Sequence, residues 1–382
     1  MRVAPWAALL TLFAGCSHLA HRDTDPAWLL PDSGRASAPI APRDALKPLR
    51  IAVYGDSHEN RETHQAIIAA IRRERPDLVV FLGDALECRP VGHMPDCGAL
   101  GYLIPFWPQT YAGRPAFTLL SIVPFPAAVH EIFLVPFYNT RDPEGFNSFL
   151  EDTAPLRLED RIPFVLVPGN HDVFHDFDRR EIARIFGEPG GPGGREPRAL
   201  WYSRDLPGVR LIVLDSGSDT PGDYDPLERG GAQLEWLEAQ LADAERQGMK
   251  SIVCSHLPPF ASSTADPPRD SVRAVLGREV LERHRVALVL SGHEHVYERI
   301  DREAGDGSLR TYLVTGGSNT WFDHEAPPEE RDPDSRVLVE DTPHFVMLEV
   351  APDAISGRMV PVGDAQVSMD EFEAGRKSRA AR

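Results

Sequence analysis

The sequence is short of several things, and each shortage excludes something. It holds 4 cysteines in 382 residues. A chain of this length buries enough surface to hold a core without disulfide staples, so a cysteine-rich scaffold is excluded. Basic residues are outnumbered, with 40 Lys+Arg against 58 Asp+Glu and a net charge of −18. Such a surface is a poor non-specific binder of nucleic acid or anionic lipid, so no nucleic-acid partner is expected. A site for phosphate would need its own local positive charge. Long hydrophobic runs are also missing. The stretch Val3–Ala14, broken only by Thr11, falls short of the ~20 residues that span a bilayer. No internal repeat is present. Proline, by contrast, is abundant at 35 residues, which argues against coiled coils and for many fixed loops.

The apolar stretch after Arg2 suits the core of a signal peptide. It ends in Leu12-Phe13-Ala14-Gly15-Cys16, which resembles the bacterial lipobox. That resemblance implies lipid on Cys16, removal of the residues before it, and a membrane partner through the anchor. Phe13 departs from the usual Leu, and an ordinary secretory signal with an incidental cysteine is the alternative. Ser17 favours the outer membrane within a bacterial cell envelope; a periplasmic or secreted protein is the other outcome. Residues 17–48 carry Pro, Ala and charge without apolar period and read as a flexible tether. Cys88 and Cys97 lie nine positions apart among Pro90, Gly92 and Pro95, a spacing that favours a local disulfide, with two free thiols as the alternative. Cys254 sits in an apolar run and reads as a small core residue.

From residue 49 short apolar runs alternate with helical patterns, which predicts an α/β class with a largely buried sheet over 49–351. Strands are expected at 49–54, 78–82, 164–167, 209–214, 251–254, 286–290, 309–314 and 344–350, and helices at 61–75, 233–247 and 271–284. Residues 88–150 break this order. They are rich in Phe, Tyr and Trp but interrupted by Pro105, Pro108, Pro115, Pro124, Pro126 and Pro136. They read as an insertion: a satellite subdomain, or else a lid or membrane-facing patch. Residues 352–382 read as a C-terminal tail.

Five of the expected strands end in polar, ligand-capable residues. These ends are Gly55-Asp56-Ser57-His58, Gly83-Asp84-Ala85-Leu86-Glu87, Gly169-Asn170-His171-Asp172, Ser255-His256 and Gly292-His293-Glu294-His295. Gly-Asp alone is a common turn, and a lone His before Pro258-Pro259 is unremarkable. Together they place two Asp, one Asn and four His where the carboxyl ends of strands converge in open α/β sheets. Imidazole with carboxylate and one amide oxygen suits Zn, Fe, Mn, Co or Ni better than Ca or Mg. Two such ions against two carboxylates make the positive centre that the acidic whole lacks.

In order and spacing, these blocks resemble the calcineurin-like metallophosphoesterase superfamily. The resemblance implies a four-layered α/β/β/α sandwich of two mixed sheets. It implies that Asp56, His58, Asp84 and His295 hold one metal ion, and Asp84, Asn170, His256 and His293 a second, with Asp84 bridging. A hydroxide between the metals would attack the phosphorus of a phosphoester substrate, and His171 would protonate the leaving oxygen. Glu87 stands where relatives carry the Asp that orients this His; Asp172 competes for that role. The run Gly292–Arg299 is also similar to purple acid phosphatases. Those enzymes carry a Tyr at the position of Glu87 and lack a His at the position of His58, so a generic dinuclear phosphoesterase is expected rather than a purple one. The contrasting expectation is a catalytically silent, membrane-anchored scaffold that keeps the fold; a retained ligand set speaks against it.

Overall fold

In a computed structural model the described residues are 47–58, 60–85, 143–173, 182–183, 186, 200–217, 226–262, 271–304, 307–319, 327, 329, 331–363 and 368–376. Cys16, Glu87, Cys88 and Cys97 lie outside them, as do the signal segment, the tether and nearly all of the insertion. The described residues of 47–85 and 148–376 form one compact unit. The sequence carries the insertion to 150, but Phe149 and Leu150 are buried, and Phe149 packs on Phe81 with ring centroids 4.8 Å apart. The core therefore resumes by Ser148.

The described residues form two mixed sheets. The first holds six strands in the order β13-β12-β11-β1-β2-β3. Its centre is β1 (Leu49–Tyr54), parallel to β2 (Leu78–Phe81), which is parallel to β3 (Phe164–Leu166). On the other side β11 (His344–Val350), β12 (Ile355–Pro361) and β13 (Glu371–Ala374) continue antiparallel. The second sheet orders seven strands as β10-β8-β9-β7-β6-β5-β4. Here β5 (Val209–Val213), β6 (Lys250–Cys254), β7 (Val286–Ser291) and β9 (Leu309–Thr315) run parallel. The antiparallel members are β4 (Tyr202–Leu206), β8 (Tyr297–Glu303) and β10 (Ser335–Val339).

Side-chain alternation decides the layering. Leu49, Ile51 and Val53 of β1, with Leu78, Val80 and Leu82, meet Ile252, Cys254, Leu288 and Leu290 in one core between the sheets. Cys254 is a buried free thiol of that core. The opposite face of the second sheet, with Ile212, Val253 and Val289, is covered by Leu234, Leu237 and Leu241 of α3 (Ala232–Arg246) and by Val272 and Leu276 of the π-helical segment Ser271–Val280. Residues 271–284 are thus helical, but wide-turned and closed by a 3₁₀ turn at Leu281–Arg283. The outer face of the first sheet carries α1 (Arg61–Glu74) and α2 (Pro143–Ala154). Their His64 and Phe149 pack on Tyr54 and Phe81 of the sheet. The Asn60 side chain caps α1 by accepting the Thr63 N–H. Helix, sheet, sheet and helix make the expected four-layered α/β/β/α sandwich.

Residues 352–382 are not wholly a tail. Strands β12 and β13 complete the first sheet, burying Ile355, Met359, Phe372 and Ala374 in the main core. An ion pair from Arg358 to Glu74 at 2.8 Å ties β12 to α1. Their sequence hides this, because short alternating strands containing Gly357 and charged residues carry little apolar signal.

Candidate metal centre

Both sheets point the carboxyl ends of their parallel strands at one place. From the first sheet come Asp56 and His58 after β1, Asp84 after β2, and Asn170 and His171 after β3. The second supplies His256 after β6, with His293 and His295 after β7. Hydrogen bonds weave these ends together: Asp56 N–H donates to Gly83 O, His58 N–H to Asp84 O, and Gly292 N–H to His256 O. Gly83 (φ +99°) is needed here, because a Cβ would stand 2.6 Å from the Gly169 backbone and 2.9 Å from the His256 ring.

Four of the eight side chains leave backbone in the left-handed region, which non-glycine residues adopt at a cost. They are Asp56 (φ 64°), His58 (φ 42°), Asp84 (φ 58°) and His293 (φ 72°). These turns aim the side chains inward.

The donor atoms converge on two adjacent positions that share Asp84. In the first, His58 Nε2 lies 3.0 Å from His295 Nε2, while Asp56 Oδ1 lies 4.0 Å and 3.9 Å from those nitrogens. Asp84 Oδ2 lies 3.6 Å from His58 Nε2 and 3.2 Å from His256 Nε2, so it faces both positions. In the second, Asn170 Oδ1 is 2.7 Å from His256 Nε2 and 3.1 Å from His293 Nδ1. Metal bonds of about 2.0–2.2 Å bring the ligand atoms of one ion to such spacings. Three groups of acidic and imidazole atoms, each mutually within 4.8 Å, fall here: Asp56–His58–His295, His58–Asp84–His171 and Asp84–His256–His293.

The electrostatics fit a cation. Asp56 Oδ2 is buried with no hydrogen-bond partner, against Gly292 and Gly316. Burial pushes the Asp56 carboxyl up to about 8, with Asp84 adding to the rise. Burial alone would lower His256, but the Asp84 carboxylate outweighs it and takes the imidazole up to about 10. Burial also opposes ionisation of Asp84, yet His256 and His171 hold its carboxyl well below the ordinary range. His295 goes the other way, depressed by burial and by the neighbouring His58. His256 Nδ1 donates to Leu82 O at 2.7 Å, which turns Nε2 toward Asp84 Oδ2 and Asn170 Oδ1. Mixed nitrogen and oxygen donors of this kind suit a transition metal.

His171 sits beside this cluster. Its Nε2 is 3.8 Å from Asp84 Oδ2, its ring stands edge-on to His58 at 4.9 Å, and its N–H donates to Asp84 Oδ1 at 2.9 Å. Asp172 does not take the orienting role the sequence allowed it. Its carboxylate instead accepts the backbone N–H groups of Asp84 (2.8 Å), Ala85 (3.0 Å) and Gly169 (3.1 Å). All three of these partners are backbone groups at the strand ends, so the carboxylate acts on backbone.

One group of contacts was not anticipated. The end of β9, Gly316-Gly317-Ser318-Asn319, also reaches the centre: Asn319 Nδ2 donates to Asp56 O at 2.9 Å and Ser318 Oγ to Gly55 O. The sequence carried the same signal there as elsewhere, glycines and polar residues directly after an apolar strand.

Comparison with known proteins points the same way. Purple acid phosphatase 23 of Arabidopsis thaliana is 26% identical over 274 residues, which is 69% of this chain and 50% of that protein. Purple acid phosphatase 15 of the same plant is 25% identical over 269 residues, 67% of this chain and 41% of that protein. The chain thus spans about half the length of these relatives or less. In fold, a purple acid phosphatase from yellow lupin (Lupinus luteus) seeds superposes with a TM-score of 0.57 at 18% identity, covering 90% of this chain and 55% of that one. A dimetal phosphatase from Danio rerio gives 0.51 at 16%, covering 86% and 100%. The profile of the calcineurin-like phosphoesterase family matches residues 49–297, a stretch that runs through all five polar strand ends. With well over half of its length matched, the chain belongs to the calcineurin-like phosphoesterase family.

Proposed function

We propose that this protein is a metal-dependent phosphoesterase that hydrolyses phosphoester bonds at a dinuclear centre. The observation that carries the reading is the position of Asp84, whose Oδ2 faces His58 on one side and His256 on the other. Asp56, His58 and His295 with Asp84 would hold one ion; Asn170, His256 and His293 with Asp84 would hold the other. Mn, Zn, Fe, Co and Ni all match these donors. When bound, a metal pair supplies a nucleophilic water of lowered pKa and neutralises charge on the phosphoryl oxygens.

The chain's own groups do the rest. The left-handed turns and the Asp172 carboxylate fix the strand ends before substrate arrives, so no reorganisation is needed during reaction. His171, beside the ligands and buried, donates a proton to the leaving oxygen. With Glu87 in place of the Tyr that gives purple acid phosphatases their colour, the centre is read as a generic dinuclear one rather than a purple one. Purified protein should hold two ions per chain and turn over p-nitrophenyl phosphate or its bis-ester. A chelator should abolish turnover and Mn, Zn, Co or Ni restore it; full activity in metal-free protein would overturn the reading. We further propose a lipid anchor on Cys16 that tethers the domain to a bacterial envelope membrane through residues 17–48, since a net charge of −18 offers no electrostatic hold on an anionic bilayer.

A further inference from the structure

A sixth strand end belongs to the centre. It lies beyond the stretch 49–297 that the family profile covers, and it contributes no ligand atom. The carbonyls on either side of the Asp56 α-carbon, those of Gly55 and Asp56, are both held by one loop. Ser318 Oγ donates to the first and Asn319 Nδ2 to the second at 2.9 Å. Ser318 and Asn319 are 0% and 1% exposed, so these bonds face no competition from water.

The loop is fixed in its turn. Gly316 N–H donates to Val296 O, just after His295, and His344 N–H donates to Gly317 O. A Cβ at Gly317 would run into the His344 ring, and one at Gly316 would lie 3.0 Å from Asp56 Oδ2. Only glycine lets the loop come this close. The clamp therefore grips a residue at φ 64°, a conformation that a free Asp would leave. Relaxation of that turn would swing the Asp56 carboxylate away from His58 and His295. The second position would feel it less, because Asp56 is not among its ligands and reaches it through one bond, the His293 N–H donated to Asp56 Oδ1 at 2.8 Å.

From this geometry we infer that Ser318 and Asn319 are positioning residues that set the metal affinity of the Asp56–His58–His295 position more strongly than that of the second. The inference rests on the dinuclear reading above and deepens it. Removing a side chain that orients a metal ligand weakens affinity by roughly 10–100-fold. The two donors grip adjacent peptides, so each single change should lie in this range.

The test is Co(II) titration of the full chain, read by absorbance and by metal content after desalting. Wild type should take two ions. Asn319→Ala and Ser318→Ala should each bind one ion about 10–100-fold more weakly and the other with a distinctly smaller loss. Ser318→Thr, which keeps the hydroxyl, should restore wild-type binding. In a His295→Ala background, where the first position already lacks a ligand, Asn319→Ala should add little further loss at that position. Two ions held at wild-type affinity in both alanine variants would overturn the inference, and so would equal weakening of both ions. Wild type that takes up fewer than two ions would overturn the dinuclear reading itself, and the inference with it.

Discussion

The Asp172 carboxylate accepts the backbone N–H of Asp84 at 2.8 Å, and through its contacts with Ala85 and Gly169 it staples the end of β2 to the end of β3. Asp172 is fully buried, so each of these N–H groups would be left unsatisfied without it. An orphaned buried donor costs ~1–3 kcal/mol. Asp172→Ala should therefore lose at least about 3 kcal/mol of stability in urea denaturation. Asp172→Asn keeps one oxygen and should fall between wild type and Ala. Equal stability of all three would mean that the staple contributes nothing.

His171 is expected to separate metal binding from rate. Its imidazole borders Asp84 and His58, while Asp84 Oδ2 has closer partners in both His58 and His256. His171→Ala should keep two ions and lose ~10²–10⁴-fold in turnover, the range of general-acid assistance. The loss should shrink for substrates with good leaving groups, such as p-nitrophenyl phosphate, and grow for alkyl phosphates. Stoichiometric loss of one ion would make His171 a ligand instead. Asp84→Asn should do more damage, because it removes the charge shared by both positions.

How much of this was legible follows from what each residue works on. The parallel strands β1, β2, β6 and β7 are buried on both faces and read as continuous apolar runs, so sequence alone located them. Strand β8 was missed because its Glu298, Arg299 and Asp301 look like a solvated loop. In the fold they are paired: Glu298 accepts the Ser262 N–H, and Arg299 pairs with Asp370 and Asp301. The convergence of the five polar strand ends was legible because Asp, Asn and His are the residue types that suit metal chemistry. Ser318 and Asn319 share the glycine-rich strand-end pattern but not the residue types of metal ligands, and they act through the carbonyls of residues more than 260 positions away. Adjacency placed Asp172 beside His171, but the dihedral angles of the turn decide where a carboxylate points, and composition does not encode them.

Completion of the first sheet by the C-terminal strands has a measurable consequence. Phe372 is buried against Gly357 and beneath Arg299, whose guanidinium carbon lies 5.8 Å from the ring centre. Phe372→Ala should cost ~3–5 kcal/mol, as for other large core truncations. Gly357→Ala should cost about 1–3 kcal/mol, since its methyl would enter the Phe372 ring. Chain ended at 351 should fail to give soluble folded protein, because the hydrogen-bonding edge of β11 and the core around Ile355 and Met359 would be exposed. A cooperative unfolding transition at wild-type midpoint in that truncation would restore the view of 352–382 as a tail.

Acid should unfold the protein partly through one ion-pair network between α1 and α2. Asp152 Oδ1 accepts Arg61 Nη2 at 2.8 Å and Gln65 Nε2 at 2.7 Å, and Oδ2 lies 3.5 Å from His64 Nδ1. Burial alone would raise the Asp152 carboxyl, but bonds from His64, Gln65 and Arg61 outweigh it and bring it from 3.8 down to about 2. A carboxyl depressed in the folded state stabilises the fold fully above its unfolded value. That stability drains as pH falls through 3.8 toward 2. Buried His64 adds to the loss, because burial lowers its value below 6.5 and acid must charge it on unfolding first. Arg61 is half exposed, so the Asp152 contribution is discounted for screening to at most about 2 kcal/mol. Urea midpoints measured from pH 7 to pH 2 should therefore show Asp152→Asn less stable than wild type at neutral pH and converging with it below pH 3. Parallel curves across that window would show that the network carries no net stability, and acid lability would then have to come from the carboxylates of the metal centre.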